Sequence, residues 1–293
     1  MQIDSLDGIL IIDKPEGKSS AFIDFIVRKI LGVKKVGHIG TLDPFATGVL
    51  TVALNGGTKT IPYIKTERKI YEFEIVFGKR TNTSDKTGET IEISDKIPTI
   101  SEIESVIPKF IGEIYQTPSI FSAIKVGGKR AYELARKGEN PTIEPRKVNI
   151  FSLEMIGENK FRAEVSPGTY IRTLTEDIAK DLGTVGHTLS LRRIKDGKFS
   201  IENSISLDEL EEKRNNIGSV LIPLENVLDD IPVILISCQD AQDLLLGRQI
   251  STDFVGENGK YLASSENGFL EIVDFSDGII SPKKLLRSFK KEF

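Results

Sequence analysis

The stretch VGHIGTLDPFATGVL, residues 36–50, places two chemically capable side chains, His38 and Asp43, among glycines, alanines and threonines. Asp43 is the sharper candidate. A free aspartate, with a reference pKa of ~3.9, is ionised at neutral pH and can attack without a base to activate it. Pro44 biases Asp43 away from the right-handed helical region, which puts the carboxylate in a turn or extended loop. Gly37, Gly40 and Gly48 leave the backbone bare enough for close approach to another molecule. Each candidate also has an ordinary reading. Asp-Pro turns flanked by glycines occur in many loops, and a lone His38 fits a loop or a core. Tyr71 and Tyr170 fit strand or core positions, and Arg172 fits a helix-surface cation.

Other chemistries lack their residues. The sequence has no G-x-x-x-x-G-K-[ST] phosphate loop, no G-x-S-x-G elbow and no H-E-x-x-H pair. Its two histidines, His38 and His187, and its single cysteine, Cys238, make neither a zinc site nor an internal disulfide, which points to a reducing cytoplasm. The N-terminal apolar run is too short for a signal peptide, and no stretch has the length of a membrane span. A net charge of −4 argues against a uniform phosphate-binding surface, but positive charge is concentrated locally. Seven basic residues stand against three acidic ones in 120–147, and five against one in the tail SPKKLLRSFKKEF. Residues 231–280 carry two basic and eight acidic residues.

Several elements must position the candidates. GILIID (8–13) reads as a strand entering the turn at Lys14-Pro15-Glu16-Gly17. Ser19 or Ser20 caps a helix on which Phe22, Phe25, Ile26, Lys29 and Ile30 follow helical spacing. VLTVAL is strand-like. Tyr71, Phe73, Ile75 and Phe77 alternate with Glu72, Glu74 and Val76, the period of a half-buried strand. SEIE (101–104) and SLDE (206–209) read as capping boxes. VNIFSLEMI and FRAEV form a strand pair about a turn at 157–159. A helix over 170–182 buries Ile171, Leu174, Ile178 and Leu182 and stops at Gly183. This mixture lacks a regular βαβ rhythm and predicts an α+β fold. Composition changes near Asp229-Asp230-Ile231-Pro232, separating a domain over 1–230 from a small β-rich module over 231–293.

Together the motifs are specific. DKPEG (13–17), GHIGTLDPFATGVL (37–50), KIYEFEIVFGKRTNTSDKTGE (69–89), QTPSIFSAIKVGGKRAYELARKG (116–138), GTYIRTL (168–174) and LSLRRIKDGKF (189–199) closely resemble the TruB family of tRNA pseudouridine synthases, in order and spacing. They cover most of residues 8–200. Ser119 and Phe121 depart from the family pattern, and the C-terminal module is short and acidic.

The resemblance implies a pseudouridine synthase fold with a central mixed, largely antiparallel sheet and a PUA-like module at 231–293. It implies isomerisation of uridine to pseudouridine at position 55, in the T-loop of tRNA, with base flipping and neither cofactor nor metal. Asp43 takes the place of the catalytic aspartate, Arg172 that of its partner, and Tyr71 that of the tyrosine that stacks on uracil and could move a proton. Tyr170 and Leu191 match substrate-packing positions. His38 matches an RNA-positioning residue, and Lys14 a support for the catalytic loop. Residues 118–147 resemble a thumb-like RNA-binding insertion. The expected partner is the tRNA T-stem-loop, bound by a monomer that requires no protein partner and no membrane. The rival expectations are a non-catalytic tRNA-binding or folding factor, a base-releasing hydrolase, and a related synthase acting on another RNA.

Overall fold

The computed structural model describes residues 6–122, 124–131, 134, 138, 139 and 141–288. Arg136 and Lys137 of the basic insertion, and Lys290 and Lys291 of the tail, lie outside the described residues. The strands in chain order are β1 (Gly8–Lys14), β2 (Val36–Ile39), β3 (Thr47–Leu54), β4 (Lys69–Phe77), β5 (Lys79–Thr81), β6 (Thr90–Ile93) and β7 (Gly112–Gln116). They continue with β8 (Lys125–Val126), β9 (Lys129–Arg130), β10 (Arg146–Gly157), β11 (Lys160–Val165), β12 (Gly186–Asp196) and β13 (Phe199–Ser200). The last five are β14 (Val233–Leu235), β15 (Ile250–Ser251), β16 (Gly259–Ser264), β17 (Leu270–Ser276) and β18 (Ile279–Arg287).

Among the described residues, nine strands form one sheet along the path β1-β3-β12-β4-β11-β10-β7, with β2 on β3 and β13 on β12. The β3–β12 pair is parallel and the other pairs of this sheet are antiparallel. The expected mixed, largely antiparallel sheet is therefore present. In β4 the alternation read from the sequence is the burial pattern: Tyr71, Phe73, Ile75 and Phe77 face inward. β1 reads as an unbroken apolar run because both its faces are covered. Leu10 and Ile12 enter the main core, while Ile9 and Ile11 enter a second cluster.

The first helix, α1 (Ser20–Leu31), is capped by the Ser19 hydroxyl, which accepts from the Phe22 amide, and ends at Gly32 in the left-handed region. Its buried face is Ser20, Ile23, Val27 and Leu31, which leaves Phe22 and Phe25 exposed. The apolar spacing chosen from the sequence thus ran partly along the outer face. The capping box expected at SEIE is instead Thr99 with Glu102, and the helix runs Ile100–Val106. The two patterns overlap, and Glu102 bonds the Thr99 amide at 2.8 Å. The SLDE box forms as expected, with Ser206 and Glu209.

The C-terminal residues form a five-stranded sheet in the order β14-β16-β17-β18-β15, with a helix at Cys238–Leu245. Leu262, Leu270, Ile272 and Leu286 of this sheet share a buried cluster with Ile9, Ile11 and Val49 of the large one. Among the described residues, no helix is long and apolar enough to cross a membrane.

Candidate active site

Asp43 sits in the turn between β2 and β3, closed by a bond from the Ala46 amide to the Asp43 carbonyl. Lys14, at the end of β1, lies beneath this turn with no exposed surface. Its ammonium donates to the carbonyls of Pro15, Pro44 and Ala46 at 2.9, 3.1 and 2.6 Å, using all three of its N–H groups. Burial lowers the Lys14 pKa to about 8, against the pull of nearby Asp43.

Arg172 comes from the first turn of the Ile171–Asp181 helix. The ordinary reading of it as a surface cation fails, since its side chain is 4% exposed. Nε donates to Asp43 Oδ2 at 2.8 Å and Nη2 to Oδ1 at 3.1 Å, a bidentate pair. Nη1 donates to the Thr83 carbonyl at 2.8 Å, which fixes the plane of the guanidinium. A second carboxylate, that of Asp85, stands 3.6 Å from Nη1. Asp85 Oδ1 accepts from the Thr83 hydroxyl and from the Thr87 amide and hydroxyl. The sequence reading gave Asp85 no role. The S-D-x-T pattern of its turn was the available signal.

One guanidinium therefore faces two carboxylates. Burial raises the Asp43 pKa above its usual value, Arg172 and Lys14 draw it down, and Asp85 adds a further upward push. Asp43 nevertheless keeps a third of its side chain exposed, toward a cleft of ≈ 270 Å³.

Tyr71, Tyr170, Arg172 and Leu191 line that cleft with Asp43. Tyr71 comes from β4 and Leu191 from β12, strands that pair directly. Tyr170 precedes its helix and is held by buried Gln116, which accepts from the Tyr170 amide and donates to its carbonyl. The Arg146 guanidinium lies 4.8 Å from the centre of the Tyr170 ring. His38 lies outside this group, on β2. Its Nδ1 is 2.7 Å from Asp24 Oδ2, and its Nε2 is 3.1 Å from the Thr41 hydroxyl.

The sequence reading also missed a buried cluster at the cleft floor. Arg193 Nε donates to the Val49 carbonyl and Nη2 to the Gly40 carbonyl, gripping both ends of the loop that carries Asp43. Asp196, fully buried, pairs with Lys69 at 3.0 Å and with Arg193 at 3.4 Å. These contacts bear on two of the glycines. A Cβ on Gly48 would lie 2.2 Å from the Arg193 carbonyl oxygen, and one on Gly40 would lie 2.7 Å from Lys69 Nζ. Gly48 is required by packing against the Arg193 backbone and Gly40 by its left-handed backbone, φ +66°, whereas a Cβ on Gly37 meets only ordinary contacts.

The N-terminal domain profile of the TruB family pseudouridylate synthases matches residues 28–171. The tRNA pseudouridylate synthase B C-terminal domain profile matches residues 172–229. The chain is 42% identical over 254 residues to the tRNA pseudouridine synthase B of Caulobacter vibrioides, spanning 84% of this chain and 82% of that protein. It is 37% identical to the tRNA pseudouridine synthase B of Aquifex aeolicus, over 96% of this chain and all of that one. Among solved structures, a chain of the archaeal box H/ACA sRNP Nop10-Cbf5 complex superposes with a TM-score of 0.68. That match covers 97% of this chain and 87% of the other at 20% identity, a likeness of fold. The cleft built around Asp43 and Arg172 thus lies within the matched region, and the chain belongs to the TruB family of pseudouridylate synthases, enzymes of the isomerase class.

Proposed function

We propose that this cleft converts uridine to pseudouridine at position 55, in the T-loop of tRNA, with Asp43 as the catalytic carboxylate. The observation that carries the reading is the bidentate Arg172–Asp43 pair, opening onto a cleft lined by two tyrosines and a leucine. The substrate assignment is supported by the relatives, which are tRNA pseudouridine synthases by name.

The target base must leave its stack to enter the cleft, at a cost of a few kcal/mol. Stacking on an aromatic ring, about 1–3 kcal/mol per base, offsets much of that cost, and Tyr71, which lines the cleft, provides it. Asp43 then assists cleavage of the bond between N1 and C1′ of the nucleotide. The base turns, C5 bonds to C1′, the C5 hydrogen leaves as a proton, and N1, having kept the electron pair of the broken bond, takes one up. Arg172 holds the carboxylate ionised and oriented as water leaves the cleft. Lys14 supports the turn, and His38 positions the RNA beside the flipped base. Residues 1–230 act as the catalytic domain, and residues 231–293 add RNA contacts. The enzyme works as a cytoplasmic monomer without a protein partner.

Tritium release from a tRNA transcript labelled at C5 of uridine tests this reading. We expect release at one T-loop uridine by the wild type and none by Asp43→Asn. Binding without release would favour the RNA-folding reading, and release of free uracil would favour a hydrolase.

A further inference from the structure

A third concentration of positive charge lies in residues 18–38, where Lys18, Arg28, Lys29, Lys34 and Lys35 stand against Asp24 alone. The structure gathers much of it around exposed aromatic surface. Phe22 and Phe25, on the outer face of α1, are 41% and 49% exposed, and their ring centres lie 6.1 Å apart. Lys18 Nζ sits 5.1 Å from the Phe22 ring centre and the Arg28 guanidinium 6.0 Å from that of Phe25. Beside them, between α1 and β2, runs a groove of ≈ 440 Å³ lined by Asp24, Phe25, Arg28, Lys34, Lys35 and Gly37. Its volume falls in the ~300–1,000 Å³ range of ligand sites.

We propose that this face is an accessory RNA site, taking unpaired nucleotides of the same RNA outside the stem-loop that fills the cleft. The inference rests on the RNA substrate assigned above. Three observations favour RNA over a protein partner. First, the centres of protein interfaces are depleted in lysine, whereas this groove is walled by it. Second, each ring pairs a stacking surface with a cation, the combination that sequence-tolerant single-strand binders use. A base that displaces the cation from the ring leaves that cation beside its own phosphate. Third, a hydrogen-bonded chain of side chains links the groove to the cleft, from Asp24 of the groove through His38 to Thr41, which lines the cleft. The same side chain that lines the groove holds His38 Nδ1 at 2.7 Å, and its Oδ1 is buried with no hydrogen-bond partner among the described residues.

The test compares binding of a full tRNA transcript with binding of an isolated T-arm stem-loop, at one fixed salt concentration. Phe22→Ala/Phe25→Ala should weaken binding of the full transcript about tenfold, or 1.4 kcal/mol. Binding of the isolated stem-loop should stay within about twofold. Phe22→Leu/Phe25→Leu, which keeps the apolar bulk and loses the rings, should behave like the alanine pair. Arg28→Gln should flatten the salt dependence for the full transcript by about one counterion. Equal binding of the transcript by wild type and the alanine pair would overturn the accessory site alone, as would wild-type affinity in the leucine pair. Failure of the wild type to bind tRNA at all would overturn the substrate reading and this one with it. Binding without tritium release would overturn the catalytic reading and leave the accessory site standing.

Discussion

Arg172 and Arg193 both press a buried guanidinium against the loop that carries Asp43, at 4% and 1% side-chain exposure, yet they hold different things. Arg193 bonds backbone carbonyls at the two ends of the loop, with Asp196 and Lys69 sealed behind it. Arg172 bonds the Asp43 carboxylate itself, which stays open to the cleft on its other side. The loop is therefore shaped by groups at the base of the cleft, while the carboxylate is aimed by a group at its wall. Shaping the loop and aiming the carboxylate thus fall to separate residues, and each should break without the other.

The largest effect should come from Arg193→Met. Removing one partner of a buried ion pair costs about 3–5 kcal/mol, and the urea midpoint should drop accordingly. A loss below about 1 kcal/mol would mean that the loop is set elsewhere. Next is Arg172→Lys, which keeps the charge and loses the fork. Turnover should fall roughly a hundredfold, or ~2.7 kcal/mol, with RNA affinity nearly unchanged. Equal losses of binding and turnover would make Arg172 a phosphate contact and dissolve the distinction. A smaller effect is expected of Asp85→Asn in the pH profile of single-turnover rate. On the proposed mechanism Asp43 acts ionised, and its pKa is raised, first by burial and in part by Asp85. Activity should thus fade as pH drops through that raised value, and removing the Asp85 charge should move the acid limb to lower pH. An unmoved limb would show that the two carboxylates do not feel one another. Smallest is Tyr71→Phe, which should leave RNA affinity within about twofold because the ring still stacks. If full turnover also survives, the phenol moves no proton.

What could be read from the sequence follows a physical line. The alternation in β4, the turn at Asp43 and the helix over 171–181 are local patterns, and local patterns are legible. The family motifs carried the rest of the fold. The burial of Arg172 was not legible from its surroundings, since its partner Asp43 lies 129 positions away. The Lys69–Asp196 pair spans 127 positions and was missed for the same reason. On α1 the error had another source. Two apolar faces were available, and only packing against the sheet decides which is buried. Asp85 lay inside a quoted motif, but its role depends on a guanidinium brought in from a distant helix.

The double duty of β1 has a consequence for how the chain is made. Ile9 and Ile11 lie in a cluster completed by Leu262, Leu270, Ile272 and Leu286. At about 5–20 residues per second, the ribosome needs roughly a quarter of a minute to a minute to reach those partners. During that interval that side of the first strand can be covered only by the cluster's earlier members, among them Ile64, Phe199, Leu224 and Leu228. The cluster is then completed only when the last strands emerge, so the large sheet reaches its full packing last at its first strand.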